Sequence, residues 1–230
     1  METPAASATD ALAAFLGGDL VEVTLLSLAV SGLATAISLL IGLPLGTWLA
    51  LTRFRSRSLA FSAVNTGMAI PPVVVGLFVA SMLWRSGPLG GLDLIYTPAA
   101  MVIAEVIIAA PIVVGLTAAS LAQLDPRLQL QLLGLGASRL QMTWWLWKEA
   151  RLPLLAALMA AFGSVISEVG AAMMVGGNIR HQTRVLTTSI VLETSKGEFI
   201  AAIGLGIILL LLAFFVNAVL TWAQHRGSHR

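Results

Sequence analysis

The chain has 230 residues, of which 58% are hydrophobic and only 13 are basic and 11 acidic. A soluble globule of this size must hydrate a large surface and carries about 25% charged residues; this chain carries 10%. That excludes a soluble enzyme, a nucleic-acid binder and a disordered chain. The absence of cysteine removes disulfides, thiolate catalysis and cysteine-ligated metals. What remains is an all-α integral membrane protein.

In chain order, residues 1–52 hold Glu2, Asp10, Asp19 and Glu22 but no Lys or Arg, so they lack the basic start of a secretory signal. Residues 1–22 are read as an outer segment in which Ala11 to Gly17 forms at most a short interfacial helix. A bilayer-crossing helix needs about 20 apolar residues. Five stretches qualify, at residues 23–51, 60–84, 98–121, 154–175 and 199–222, with Glu105 and Glu168 as the only charges inside them. With the N-terminus outside, the inner segments hold Arg53, Arg55, Arg57, Arg127, Arg139, Lys148, Arg151, Arg226 and Arg230. The outer segments then hold only Arg85, Arg180, Arg184 and Lys196. The excess of inner basic residues sets an N-out, C-in topology with residues 226–230 as a cytoplasmic tail.

In the first span Ser31, Thr35, Ser38, Gly42 and Gly46 fall on one helical face, which packing against a neighbouring helix explains. Pro44 and the Pro71-Pro72 pair are expected to kink or interrupt their helices. The inner loop, residues 122–153, is long and partly polar. Asp125-Pro126 reads as an N-cap followed by proline at the first helical position. A short helix through Leu128, Leu130, Leu132 and Leu133 then stops at Gly134 and Gly136. Ser138 with Gln141 is a capping-box pattern that starts a second helix through Trp144, Trp145 and Trp147. An amphipathic interfacial hairpin accounts for this pattern, and so does a surface that receives force from a cytoplasmic protein.

Leu124-Asp-Pro-Arg-Leu followed by Leu135-Gly-Ala-Ser-Arg139 resembles the cytoplasmic loop of inner-membrane permeases in binding-protein-dependent ABC importers. The Glu-Ala-Ala triplet of that family is replaced here by Leu130, Gln131 and Leu132, so a salt bridge from the usual glutamate is not implied. The Leu-Pro that usually follows the glycine is also displaced, to Pro153. Pro71 to Gly76 and Gly87-Pro-Leu-Gly90 resemble segments of molybdate, sulfate and tungstate permeases. Ile166 to Ile179, with Thr183 to Thr194, resembles the tungstate type most. The resemblance spans nearly all of the chain from Leu20 onward. It implies a type I importer permease fold with Asp125, Pro126, Arg127, Leu132, Gly136, Ala137, Ser138 and Arg139 in the loop that meets the ATPase. Its implied partners are a second copy of the chain, two cytoplasmic ATPase subunits and an external oxyanion-binding protein, in a lipid bilayer and without nucleic acid. No metal or cofactor is expected on this chain; ATP and Mg belong to the partner subunit, since no Gly-x-x-x-x-Gly-Lys-Ser/Thr phosphate loop is present.

The gate and pathway candidates are Ser167, Glu168, Gly170, Gly176, Gly177, Asn178, Thr183, Arg184, Thr187 and Thr188. Gly163, Ser167 and Gly170 would form a small-residue face beside Glu168 if one helix carried all three. Glu168 would accept hydrogen bonds there, or be a packed protonated acid; Glu105, six residues before Pro111, is read as structural. In the outer segment, residues 176–198, the apolar run Val185 to Leu192 is too short to span, so the segment is expected to be re-entrant or interfacial. Arg180 and Arg184 would share a helix face if the helix extends that far, to meet a dianion, acids on a binding protein or lipid headgroups. Thr183, Thr187, Thr188 and Ser189 offer hydroxyl donors suited to a tetrahedral oxyanion. The expected function is the permease subunit of a tungstate importer, with molybdate or sulfate as alternative substrates. A proton-coupled secondary transporter using Glu105 and Glu168 is the alternative of another class, and a membrane scaffold that transports nothing is a third.

Overall fold

A computed structural model describes residues 19–228; the proposed helix at Ala11 to Gly17 and the last two residues of the tail lie outside them. The first helix, α1 (Leu20–Leu51), is 32 residues long and so about 48 Å in length. It continues through Pro44, because the carbonyls this proline frees are tolerated where neighbouring helices surround the backbone. The small residues Ser31, Thr35, Ser38, Gly42 and Gly46 are all buried, and they face α4 (Pro98–Ala122). The approach is close enough that a Cβ on Gly42 would lie 2.6 Å from Val113 Cβ, and one on Gly46 2.6 Å from the Val114 carbonyl oxygen. The α1–α4 seam is the spine of the molecule.

The second apolar stretch is not one rod. It forms α2 (Arg57–Ala69) and α3 (Pro72–Leu83), bent by 95°. Ile70 and Pro71 are extended, with ψ of 127° and 128°, because a residue before proline is pushed out of the helical region. Pro72 then opens α3 at a position where its missing N–H costs nothing. The third stretch, α4, is capped by Thr97, whose hydroxyl accepts from the Ala100 amide at 3.3 Å. After it come α5 (Pro126–Gly134) and α6 (Arg139–Glu149), then α7 (Arg151–Ile166), which turns 76° away from α6.

The fourth stretch is broken too, and here the structure departs from expectation. The helix ends at Ile166, and a short α8 (Gly170–Gly176) starts after a break at residues 167–169. Gly163, Ser167 and Gly170 therefore do not share one helical face. The segment at residues 176–198 carries α9 (Leu186–Ser195), and α10 (Phe199–Ser228) follows it. By length and composition three helices can cross a membrane, or up to five if each bent pair is one span.

Three cores lie along the spine, one of them Leu49 of α1 with Val114 and Ala118 of α4. Val30 and Ala34 of α1, Val75 and Val79 of α3, Met101 and Ala104 of α4, and Ala171 and Val175 of α8 form a second. Val113 and Ala109 of α4 with Ala161 and Val165 of α7 form the third, flanked by Leu39 and Leu43. The outward face of α10 is apolar, with Leu210 and Phe214 more than two-thirds exposed, as lipid rather than water would accept.

Candidate functional site

The loop between α4 and α7 is built from local signals. Asp125 Oδ1 accepts from the Arg127 amide at 2.8 Å, and Pro126 occupies the first turn of α5. At the other end Gly136 adopts φ +82°. Its amide donates to the Leu133 carbonyl and the Ala137 amide to the Leu132 carbonyl, each at 3.0 Å. This pair of bonds is a Schellman closure, and its left-handed position is the reason for a glycine there. Two residues later Ser138 and Gln141 complete a reciprocal capping box at 3.3 and 2.8 Å, so α6 begins at Arg139. The loop residues expected from the sequence are thus one continuous structural unit.

Its inner side is anchored. Leu128 and Leu132 pack toward Leu121, Leu146 and Ala150. Trp147 Nε1 donates to Thr47 Oγ1 at 2.8 Å, which ties α6 to α1 across 100 residues. Arg57 donates from its guanidinium to the Leu49 and Ala50 carbonyls, both at 3.2 Å, and lies over the Phe61 ring. It satisfies the open end of α1, where sequence reasoning had assigned it only to topology; a basic residue just after a helix C-terminus was the available signal. The outer side of the loop is unpartnered, with Leu135 at 85% and Leu140 at 82% exposed. Trp147→Phe is expected to cost about 1 kcal/mol through loss of one partly buried hydrogen bond. Thermal melting would show it, and the double variant with Thr47→Val should melt close to Thr47→Val alone, since that change already removes the Trp147 bond along with the hydroxyl's bond to the Leu43 carbonyl.

The second region surrounds the break before α8. Glu168 sits in the break rather than within a continuous span, and its Oε1 accepts from the Ala171 amide at 2.9 Å, capping α8. The Thr187 hydroxyl donates to the Glu168 carbonyl at 2.8 Å and Ser167 to Gly163 at 2.9 Å. Gly170 faces Val73, and a Cβ on Gly76 would lie 2.6 Å from Ala171 Cα. The second half of one broken stretch, α3, is therefore seated directly on the second half of the other, α8. Gly176 packs on Met101, and Gly177, at φ +69°, lies under the Tyr96 ring. Glu105 is buried in α4, and its Oε2 is without a protein partner among the described residues.

Two expectations for the outer segment are corrected. Residues 177–185 are not helical, so Arg180 and Arg184 share no helix face. Arg180 pairs with Asp19 at 2.7 Å, His181 meets Glu22 at 2.7 Å, and Arg184 donates to the Asn178 side chain at 3.3 Å. Asn178 reaches the Thr188 carbonyl at 3.4 Å. The hydroxyls are also committed: Thr183 donates to the Gly176 carbonyl, while Thr188 and Ser189 donate to that of Val185. With Thr187 on Glu168, all four hydroxyls donate to backbone carbonyls from buried side chains, although residues 179–182 of the turn itself are exposed. Carbonyls left open by irregular chain inside an apolar bundle need such donors. Arg180→Ala is expected to change anion uptake by less than about twofold, because its surface pair is worth about 0–1 kcal/mol. A loss beyond tenfold in transport assays would return it to the anion path.

The chain is thus a helical membrane protein with two interrupted apolar stretches and an apolar-tipped helix–turn–helix loop. Its fold is that of a type I ABC importer permease: it superposes on an inward-facing structure of the MetNI methionine ABC transporter with TM-score 0.72, covering 91% of this chain and 96% of that one at 18% identity. Residues 42–228 match the family described as "Binding-protein-dependent transport system inner membrane component", and the chain belongs to that family. It is 40% identical over 195 residues to the tungstate uptake system permease protein TupB of Peptoclostridium acidaminophilum, covering 85% of this chain and 86% of that protein. The molybdenum transport system permease protein ModB of Escherichia coli (strain K12) is 28% identical over 219 residues, covering 91% of this chain and 95% of its own.

Proposed function

We propose that this chain is the membrane-spanning subunit of an ATP-driven importer for a tetrahedral group 6 oxyanion, with tungstate as its substrate. The observation that carries the substrate is the likeness to a tungstate uptake permease, greater than the likeness to a molybdenum one. Two copies form the pathway, with the N-terminus outside. Two ATPase subunits bind the loop at residues 122–153, and an external binding protein delivers the anion. The chain holds no metal or cofactor of its own, and ATP is hydrolysed on the partner.

The loop is suited to receive force. Its tip offers exposed Leu135 and Leu140, while its base is fastened by Trp147 to α1 and by Leu132 to the loop core. Because the tip lacks the usual acid, the grip on the ATPase is apolar rather than ionic. A push on the loop reaches α1 and α7. The broken spans then let the seated pair α3–α8 move against α1 and α4 at the hinges near residues 70 and 168, giving alternating access by rigid-body shifts. Glu168 caps the moving segment in this scheme, and the turn at residues 177–185 closes it on the outer side.

Binding and uptake measured together test the substrate. The co-encoded external protein should bind tungstate in preference to molybdate and sulfate, and permease-dependent uptake should follow the same order. Sulfate as the preferred anion in both assays would overturn the tungstate assignment.

A further inference from the structure

A groove of about 360 Å³ lies between α1, α6 and α7, outside the loop tip and outside the turn at Glu168. Its walls are aliphatic: Leu39 and Leu43 from α1 face Leu155 and Leu158 from α7. Trp144 and Trp147 stand at its mouth. At the elbow between α6 and α7 it carries its two charges, Lys148 and Arg151. The polarity is graded along one direction. Arg151, Leu155 and Leu158 fall on one face of α7, so the aliphatic wall extends about 10 Å from the basic end. On α1, Leu43 and Leu39 recede in the same direction from Thr47, which is held by Trp147 at the loop end.

Lys148 extends over the Trp145 ring, 4.7 Å from its centroid, and pairs with no carboxylate among the described residues. Both walls belong to helices, or a bent helix pair, apolar enough to cross a membrane. A groove between them opens toward hydrocarbon, and tryptophans with basic residues mark the height of lipid headgroups. Water fits such a wall poorly, and the charge at one end selects the sign of whatever fills it.

We propose that this groove is a binding site for an anionic phospholipid, with the phosphate at Lys148 and Arg151 and one acyl chain along the four leucines. The charge complementarity favours an acidic headgroup over a zwitterionic one, whose amine meets two cations. The site joins α1 to the elbow that carries the loop, so an occupied groove braces the element through which a push on the loop travels. It does not depend on which anion is carried.

The test is native mass spectrometry of the full chain, exchanged from nanodiscs that contain equal phosphatidylglycerol and phosphatidylcholine. The wild-type chain is expected to retain phosphatidylglycerol in preference, by about fivefold for each basic residue engaged. Lys148→Glu should abolish the preference and Lys148→Arg should keep it. Leu155→Trp, which fills the groove, should release both lipids while the protein still melts as wild type does. Equal retention of the two lipids, or a preference untouched by Lys148→Glu, would overturn the proposal. Since the chain has no cysteine, Leu158→Cys gives a single label. Cross-linking of that residue to a second copy, with no lipid retained, would make the groove a subunit interface instead.

Discussion

Gly136→Val is expected to leave the protein folded in the membrane and the ATPase active, while substrate uptake falls about tenfold or more. The residue adopts φ +82°, and no atom lies within 4 Å of where its Cβ would be. The loss is therefore one of backbone conformation and not of packing. A β-branched residue in the left-handed region is strained by roughly 1–2 kcal/mol or more, and about 1.4 kcal/mol is a tenfold shift in a population. Relaxing that strain breaks the Schellman closure, so α5 and α6 no longer present Leu135 and Leu140 as one rigid tip. Gly136→Asn is the matched control, because asparagine tolerates this region; uptake should stay within about twofold of wild type. ATP hydrolysis and uptake measured on the same proteoliposomes would show the separation, and equal activity of the valine and wild-type chains would contradict the role given to the loop.

The largest effect on folding is expected at Gly46. A Cβ there would lie 2.6 Å from the Val114 carbonyl oxygen and 2.7 Å from Thr117 Cβ. Neither neighbour is the far end of a flexible side chain, so Gly46→Val must separate α1 from α4 along their seam, beside the core of Leu49, Val114 and Ala118. Overpacking of this kind costs about 1–3 kcal/mol and sometimes more, and the yield of folded protein and its melting temperature should both drop. Gly206 supplies the contrast. It lies on α10 with nothing within 4 Å of its Cβ position, and Gly206→Ala should be neutral or stabilising by up to about 1 kcal/mol from helix propensity. Similar melting of the two variants would show that the α1–α4 approach is not the main constraint.

Features written in neighbouring residues could be read from the sequence. The Asp125 cap, the Gly136 stop and the Ser138–Gln141 box each involve groups two to five residues apart, so the pattern of residue types carries the geometry. The break at Pro71-Pro72 was legible for the same reason. The break at residues 167–169 was not, because residues 152–179 contain a single charge and only a helical pattern of small residues. What stabilises it comes from afar: Thr187 binds the Glu168 carbonyl from 19 residues away, and Gly76 of α3 admits Ala171. Arg180 and Arg184 were legible as charges and not as partners, because Asp19 lies 161 residues from Arg180. The hydroxyls of Thr183, Thr187, Thr188 and Ser189 looked available to an anion only while the irregular backbone they satisfy was unseen.

The central claim, that this chain transports by coupling to a partner ATPase, is tested most directly in proteoliposomes. The purified chain would be reconstituted with and without its co-purified ATPase, with the binding protein and labelled tungstate supplied on the side that the topology makes external. The account predicts uptake only when ATPase and ATP are both present, at a rate that collapsing the proton gradient leaves unchanged. Gradient-driven uptake by the chain alone would contradict it and would make Glu105 and Glu168 the carriers of a secondary transporter.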